Sequence, residues 1–354
     1  MDDGTVGGLG RRRGCLTFVG RWGEFPASAA ARRTLCWANV PAYFELLGLI
    51  LPVFALIAIG AGLRRVGWLT PEADASLLKV VVNFLYPCLI FRNVLGNEAL
   101  RDPANVAMAP MLGFVTMAGG IMVAFWAGRA AGLSIGHGLR TFAFAVGIYN
   151  YGYIPLPLME GLFGKESVGV LLVYNVGCEA AIWTVGILVL SGLSLREGWR
   201  KLVSPPVISM AVALTLNATG EAHGVPTWVT GVIARCADCA IPLGLLLIGA
   251  TLQGYLGKPK QLWHSKIAAG ACALRLGCLP VAFLALAKVL PISPDLQRVL
   301  LVQAAMPAGI LPIVIAGHYG GQPLMAVRVV LATTVLGLAV IPLWLQLGMV
   351  WLAP

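Results

Sequence analysis

The sequence is poor in charged residues. Only 11% of its 354 residues are Asp, Glu, Lys or Arg, while 58% are hydrophobic. An average soluble domain carries about 25% charged residues, because its surface has to hold water. The large apolar fraction equally excludes a disordered chain, which cannot be so rich in residues that favour burial. The composition therefore predicts an integral membrane protein with several spanning segments.

The sequence also lacks the signatures of metal sites and of common enzymes. Its eight Cys and four His form no disulfide or zinc pattern, and Cys236-x-x-Cys239 has neither a second Cys pair nor a nearby His. We interpret these two thiols as small apolar residues of a membrane helix. There is no HExxH motif, no paired-Asp prenyltransferase motif and no GxSxG elbow. We therefore predict no metal, no cofactor and no enzymatic activity.

Residues 1–42 differ in composition from the rest of the chain. They are rich in Gly, Ala and Arg, including the runs 11–13 and 32–33. No apolar segment follows them in the way that a secretory signal requires. We interpret this region as a disordered basic extension, which an over-long translation start would explain.

Apolar stretches of bilayer-spanning length recur from Tyr43 onward. Lipid offers the backbone no hydrogen-bond partners, so each stretch is expected to be a helix. The pattern predicts an all-α membrane protein with ten transmembrane helices. The predicted spans are 43–65, 72–95, 105–128, 139–160, 166–191, 203–219, 227–254, 266–290, 295–317 and 324–352.

Proline and glycine positions indicate an internal repeat. Five pairs recur at offsets of 154 to 157 residues, namely Pro52/Pro206, Pro71/Pro226, Pro87/Pro242, Pro155/Pro312 and Gly164/Gly320. They divide the chain into two units, 43–198 and 203–354, with five predicted spans each. An odd number of spans inverts the second unit in the membrane, which is typical of secondary transporters. The alternative is ten helices with proline kinks and no internal symmetry.

Loop charge predicts the orientation. The loops after odd-numbered spans carry ten basic residues against one acidic residue, so the positive-inside rule places them in the cytoplasm. We therefore predict a protein of the cytoplasmic (inner) membrane with both termini on its outer side. The net charge of +10 indicates this orientation rather than a nucleic-acid partner. Arg275 and Arg328 lie about a turn or more inside spans eight and ten, and we expect both to snorkel to the interface.

Glycine and proline interrupt the fourth and ninth spans near the middle of the membrane. Proline removes a backbone donor and clashes with the preceding turn. Two half-helices would then point their N-termini, each with about half a positive charge, at the midplane, which suits a carboxylate. The predicted substrate-binding residues are Asn150, Tyr151, Gly152 and Pro155 in the fourth span, and Gln303, Met306, Pro307 and Pro312 in the ninth. The alternative is plain kinks packed by small residues.

Four polar residues inside predicted spans are candidates for ion coupling, because polar groups are costly in lipid. Asn175 and Glu179 share one face of the fifth span at i, i+4. Asn83 and Asp238 each precede a proline by four residues and are related by the repeat. The coupling ion would be H+ or Na+. The alternatives are interhelical hydrogen bonds and a buried charge pair.

Several stretches, taken in order, resemble a known family. They are residues 51–60, 83–91, 150–175, 240–243, 303–307 and 319–321. This ordered combination resembles the auxin efflux carrier family, the bacterial and plant carriers that include the PIN proteins. The resemblance covers everything after about residue 43.

The resemblance implies two inverted five-helix repeats whose broken fourth and ninth helices cross, as in bile-acid/sodium symporter-like folds. It also implies a homodimer and a secondary active transporter that moves a small organic anion, such as a mono- or dicarboxylate or auxin-like acid, by elevator-type alternating access. The connection 192–202 is too short for the phosphorylated loop of plant members. Residues 150–153 also depart from the Asn-rich plant motif, which argues against auxin itself. The alternative function is a sodium/proton antiporter of related fold.

Overall fold

The computed structural model describes residues 40–192, 203–256 and 265–353. Within these ranges the chain consists of helices joined by short turns. The predicted N-terminal extension lies outside the described residues except for its last three positions. The junction between the two predicted repeats, residues 199–202, lies outside them as well.

The helices have the following bounds in chain order. They are α1 (Tyr43–Arg65), α2 (Pro71–Val94), α3 (Pro103–Ala130), α4 (Leu139–Gly147), α5 (Pro155–Phe163), α6 (Lys165–Ser191), α7 (Pro205–Thr219), α8 (Thr227–Leu256), α9 (Lys266–Val289), α10 (Pro294–Ala305), α11 (Leu311–His318) and α12 (Pro323–Leu352). Three of them contain a π turn: Val81–Leu85 in α2, Ile182–Gly186 in α6 and Leu274–Cys278 in α9. Such turns insert a residue and rotate the faces of the helix, frequently at functional sites.

Among the described residues, seven helices are long and apolar enough to cross a membrane: α1, α2, α3, α6, α8, α9 and α12. They fall on the first, second, third, fifth, seventh, eighth and tenth predicted spans. The sixth predicted span falls on α7, which has 15 residues. The fourth falls on α4 and α5, of nine residues each, and the ninth on α10 and α11, of 12 and eight. Each of these shorter helices is below the roughly 20 residues that a straight span needs.

Local sequence explains where several helices begin. Thr70, Asp102 and Ser293 each accept a backbone N–H of the first turn through their side chains, and each is followed directly by a proline. A capping oxygen and a proline in the first turn are the standard start of a helix. Pro242, by contrast, does not interrupt α8.

The helices pack in two groups. One group contains α1, α2, α7 and α8, and we call it the four-helix layer. The other contains α3 to α6 and α9 to α12, and we call it the crossing bundle. Within the crossing bundle α6 is largely buried and packs along α3. The two groups meet where α1 contacts α12 and where α2 contacts α6.

Glycine allows the closest contact in the four-helix layer. A Cβ atom added at Gly60 of α1 would lie 2.0 Å from the carbonyl oxygen of Leu246 in α8. A Cβ added at Gly249 of α8 would lie 1.8 Å from the carbonyl oxygen of Ile57 in α1. Small residues are common at such interfaces, because helices in lipid associate by close backbone packing.

Candidate functional site

Two pairs of helices end and begin at the centre of the crossing bundle. Helix α4 ends at Gly147 and α5 begins at Pro155, while α10 ends at Ala305 and α11 begins at Leu311. Pro155 and Pro312 occupy the first turns of α5 and α11, where a missing N–H costs nothing. The residues between the helices, 148–154 and 306–310, are the first and second connecting stretches.

The two connecting stretches pair with each other through their backbones. The Asn150 N–H donates to the Pro307 carbonyl at 2.8 Å, and the Gly309 N–H donates to the Ile148 carbonyl at 2.8 Å. They form an isolated antiparallel bridge between Tyr149 and Ala308. Non-helical backbone at membrane depth needs such partners within the protein. We call this paired region the crossing.

Side chains from both predicted breaks meet at the crossing. The Gln303 Nε2 atom donates to the Tyr151 carbonyl at 3.2 Å and lies 3.5 Å from Asn175 Oδ1. The Asn150 Oδ1 atom accepts the Ile154 N–H at 3.3 Å. The Gln303 Oε1 atom is buried and has no hydrogen-bond partner among the described residues.

The other predicted substrate-binding residues lie around these contacts. Met306 is fully buried, and its carbonyl accepts a hydrogen bond from Arg275. Gly152 lies beside α2, since a Cβ added there would be 3.5 Å from the Tyr86 hydroxyl. Pro307 belongs to the second connecting stretch and Pro312 begins α11. The structure thus brings both predicted groups together.

Glu179 contacts the crossing from α6. Its Oε1 accepts the Tyr151 hydroxyl, and its Oε2 accepts the Trp183 Nε1–H at 2.9 Å. Asn175 lies one turn before it and donates to the Tyr86 hydroxyl of α2 at 3.5 Å. The i, i+4 pair read from the sequence therefore lies at the crossing, in contact with a residue of the four-helix layer.

Asn83 and Asp238 lie elsewhere. Both are exposed, and Asp238 forms an ion pair with Arg92 within the four-helix layer. Among the described residues, neither side chain is hydrogen-bonded to the crossing. The predicted repeat relates these two positions, but the described contacts do not bring them to the crossing.

Arg275 is inside the crossing bundle, so the expectation that it snorkels to the interface is wrong. It is 0% exposed, and its Nε donates to the Met306 carbonyl at 3.0 Å. Its Nη2 donates to the carbonyls of Gln303 and Ala304 at 3.3 Å each. Arg275 belongs to the π turn of α9, and this extra residue in the turn changes the face on which the side chain emerges.

Sequence reasoning missed a buried hydroxyl cluster beneath the first connecting stretch. The Tyr149 hydroxyl lies 2.7 Å from the Tyr174 hydroxyl, 3.1 Å from Thr116 Oγ1 and 3.3 Å from Cys178 Sγ. These groups come from α3, α6 and the crossing. The i, i+4 spacing of Tyr174 and Cys178 was the available signal, and the partners on other helices could not be read from it.

A small cavity separates the crossing from the four-helix layer. Its volume is about 60 Å³. Residues of the crossing bundle on its wall include Tyr153, Ile310 and Val314, and those of the four-helix layer include Asp74 and Thr251. The cavity touches both connecting stretches, the first through Tyr153 and the second through Ile310.

Comparison with known proteins identifies the family. A family model described as membrane transport protein matches residues 46–197 and 192–345. A protein of Methanothermobacter thermautotrophicus named as an uncharacterized transporter is 27% identical over 300 residues, which cover 83% of this chain and 96% of that protein. Protein ECM3 of Saccharomyces cerevisiae is 26% identical over 153 residues, 42% of this chain and 25% of that protein. Auxin efflux carrier component 2 of Arabidopsis thaliana is 30% identical over 139 residues, 38% of this chain and 21% of that protein.

These matches confirm the family that the ordered motifs predicted. The chain spans nearly the whole archaeal relative, but only a quarter or less of the two eukaryotic ones. The family model covers most of the chain, and seven of the described helices are long and apolar enough to cross a membrane. The chain therefore belongs to the membrane transport protein family, which includes the auxin efflux carriers, and it is an integral membrane transporter.

Proposed function

We propose that the protein is a secondary carrier for a small organic anion and that the crossing is its substrate site. The observation that carries this proposal is the backbone pairing of the two connecting stretches, Asn150 to Pro307 and Gly309 to Ile148. The pairing collects four helix ends in the interior of the bundle. Interrupted helices of this kind bind solutes near the midplane in secondary transporters.

The helix ends favour an anion. Helices α5 and α11 begin beside the connecting stretches, and the N-terminus of a helix carries about half a positive charge. Unpaired amides of a first turn can also donate to a carboxylate. The Asn150, Tyr151 and Gln303 side chains lie next to these ends and provide polar groups that would orient the substrate. A mono- or dicarboxylate fits this arrangement.

We propose that transport occurs when the crossing bundle moves against the four-helix layer in an elevator-type motion. Each predicted repeat, 43–198 and 203–354, contributes two helices to the layer and the remainder to the bundle. That division supports an inverted repeat, because the first two helices of each half lie in the four-helix layer and the later helices of each half lie in the crossing bundle. Polar contacts across the boundary among the described residues include the Tyr86–Asn175 and Tyr43–Ala339 hydrogen bonds.

Glu179 is the proposed coupling residue. Its carboxylate is bonded to the hydroxyl of Tyr151, which belongs to the first connecting stretch. Gain or loss of a proton at Glu179 would change that contact and hence the geometry of the crossing. Asp238 is less suited to this role, since its side chain is 69% exposed and paired with Arg92.

Transport by purified protein in proteoliposomes tests the proposal. We expect uptake of labelled malonate, malate or phenylacetate to exceed that of empty vesicles and to respond to an imposed pH or sodium gradient. Gln303→Leu should abolish most of the uptake, because it removes the side-chain amide that hydrogen-bonds the Tyr151 carbonyl in the first connecting stretch. Gln322→Leu, at an exposed helix start, is the matched control. Absence of flux for every carboxylate under every gradient would refute an organic-anion carrier.

The alternative proposal is a sodium/proton antiporter. A carboxylate at the crossing of two interrupted helices, as Glu179 is, also suits exchange of Na+ for H+. Sodium-dependent proton flux in vesicles without any organic solute would favour it. Loss of that flux in Glu179→Gln, with no carboxylate uptake by the unmodified protein, would replace the anion carrier with the antiporter.

We further propose that the protein lies in the cytoplasmic membrane as a homodimer with both termini outside. The orientation rests on the basic loops that follow the odd-numbered spans, and the dimer on analogy with the family. The orientation is tested with a cysteine introduced near the C-terminus of the protein, which a membrane-impermeant thiol reagent should label in intact cells. Mass measurement of the detergent-purified protein tests the dimer.

A further inference from the structure

Arg275 and Arg298 are the two buried arginines among the described residues, and Arg275 differs from Arg298 in having no acidic partner. It is 0% exposed and forms no ion pair with a described residue. Arg298 is paired with Asp295, and the half-buried Arg64 and Arg92 are paired with Asp74 and Asp238. A buried charge without a counter-charge is costly and calls for a compensating group.

The compensation that the protein supplies is partial. Three carbonyls at the C-terminal end of α10, those of Gln303, Ala304 and Met306, accept hydrogen bonds from Arg275. The end of a helix carries about half a negative charge, which is less than the unit charge of a guanidinium. The rings of Tyr149 and Phe283 lie 4.9 Å and 5.4 Å from the guanidinium carbon and add a cation–π contribution. The Nη1 atom has no hydrogen-bond partner among the described residues.

The arginine is also tied to the crossing itself. Met306 begins the second connecting stretch, and Tyr149 in the first one forms the antiparallel bridge with Ala308. Glu179, the carboxylate that contacts the crossing, is bonded to Tyr151 and Trp183 rather than to Arg275. Arg275 therefore places a positive charge beside the crossing, and none of the described acidic residues forms an ion pair with it.

We propose that Arg275 is the charge-selectivity determinant of the carrier and that the transported anion supplies its missing counter-charge. The proposal rests on the proposed function and adds to it the group that selects a carboxylate over a neutral solute of the same shape. Arg275 is fully buried, so it acts as a positioning residue through the backbone of the crossing and through its field. That field is weakened little in a medium of low dielectric constant.

Competition between acids and their neutral amides tests this inference. Malonate and malonamide form one pair and phenylacetate and phenylacetamide the other, and within each pair the members differ mainly in charge. Inhibition of labelled malonate or phenylacetate uptake by each member gives an acid-to-amide preference. We expect Arg275→Gln to lower that preference at least about tenfold, equivalent to about 1.4 kcal/mol. Arg275→Lys, which keeps the charge, should stay within about threefold of the unmodified protein while its maximal rate falls.

The control is Arg298→Gln, which removes a buried arginine of α10 that already has an acidic partner. It should leave the acid-to-amide preference unchanged. An unchanged preference in a folded Arg275→Gln variant would overturn the inference. If that variant does not fold, Arg275→Lys decides, because loss of the preference despite a retained charge would equally overturn it. A failure of the unmodified protein to transport any carboxylate would instead refute the proposed function.

Discussion

Replacement of Gly60 by alanine tests the packing that holds the four-helix layer together. The added Cβ atom would lie 2.0 Å from the Leu246 carbonyl oxygen and 2.7 Å from its Cα. Ordinary contact begins near 3.4 Å, so α1 and α8 must separate locally by about 1.4 Å. The obstacle is backbone, which cannot move aside as a flexible side chain can.

The expected cost follows from a comparison with Gly62, two residues further along α1. A Cβ added at Gly62 meets nothing within 4 Å. Both substitutions gain about 0.5–1 kcal/mol, because alanine loses less backbone entropy in a helix than glycine does. Only Gly60→Ala adds an overpacking cost of about 1–3 kcal/mol. The two variants should therefore differ by that amount in free energy of unfolding.

Thermal unfolding of the purified protein in detergent measures the difference. We expect Gly62→Ala to unfold at or slightly above the temperature of the unmodified protein, and Gly60→Ala several degrees below it. Equal unfolding temperatures for the two variants would refute the close approach of α1 and α8 at this point. A reciprocal test is Gly249→Ala, whose Cβ would lie 1.8 Å from the Ile57 carbonyl oxygen.

Three further substitutions probe the crossing and its boundary. Tyr151→Phe removes the hydroxyl that donates to Glu179 and leaves Trp183 as the donor to this carboxylate. A hydrogen bond to a charged group contributes about 1.5–3 kcal/mol, so transport should fall about tenfold or more. Gly244→Ala places a Cβ 2.1 Å from the Tyr153 ring at the boundary with the four-helix layer, so the transport rate should fall while the unfolding temperature changes little. Thr333→Val removes the hydroxyl that accepts a backbone N–H of the second connecting stretch at 3.1 Å, which should lower the free energy of unfolding by about 1–3 kcal/mol.

Each of these substitutions has a matched control. Tyr319→Phe removes a hydroxyl outside the crossing, and Gly231→Ala adds a Cβ in α8 that meets nothing within 4 Å. Thr184→Val removes a hydroxyl that donates only within its own helix, to the Ala180 carbonyl at 2.6 Å. If the controls lose as much transport or stability as the test variants, the contacts at the crossing and its boundary do not have the proposed effect on transport and stability.

Much of the architecture could be read from the sequence because the bilayer restricts the choices so strongly. A 58% hydrophobic chain with 11% charge has to place its apolar stretches in lipid as helices. Proline fixed the places where α5 begins and where α11 has its first turn, through local sterics that need no partner. Proline alone does not mark such a break, since α8 continues through Pro242.

The candidate site could be read only in part. Asn175 and Glu179 share a helix face, and that spacing placed them correctly beside each other. Glu179 finds its partner Tyr151 on a different segment, and no spacing along the chain contains that contact. Arg275 was misassigned to the interface because its turn is a π turn, whose extra residue changes the direction of the side chain.

The sequence by itself determined the class of protein, the places of the seven long helices and the family, because hydrophobic length and ordered motifs are properties of short segments. Tertiary structure alone decided which segments meet. It paired residues 148–154 with 306–310, left Asp238 in an ion pair with Arg92, and buried Arg275 without an acidic partner. These outcomes depend on contacts between residues more than a hundred positions apart or on different helices. The charge of the crossing, and with it the proposed choice of substrate, follows from those contacts.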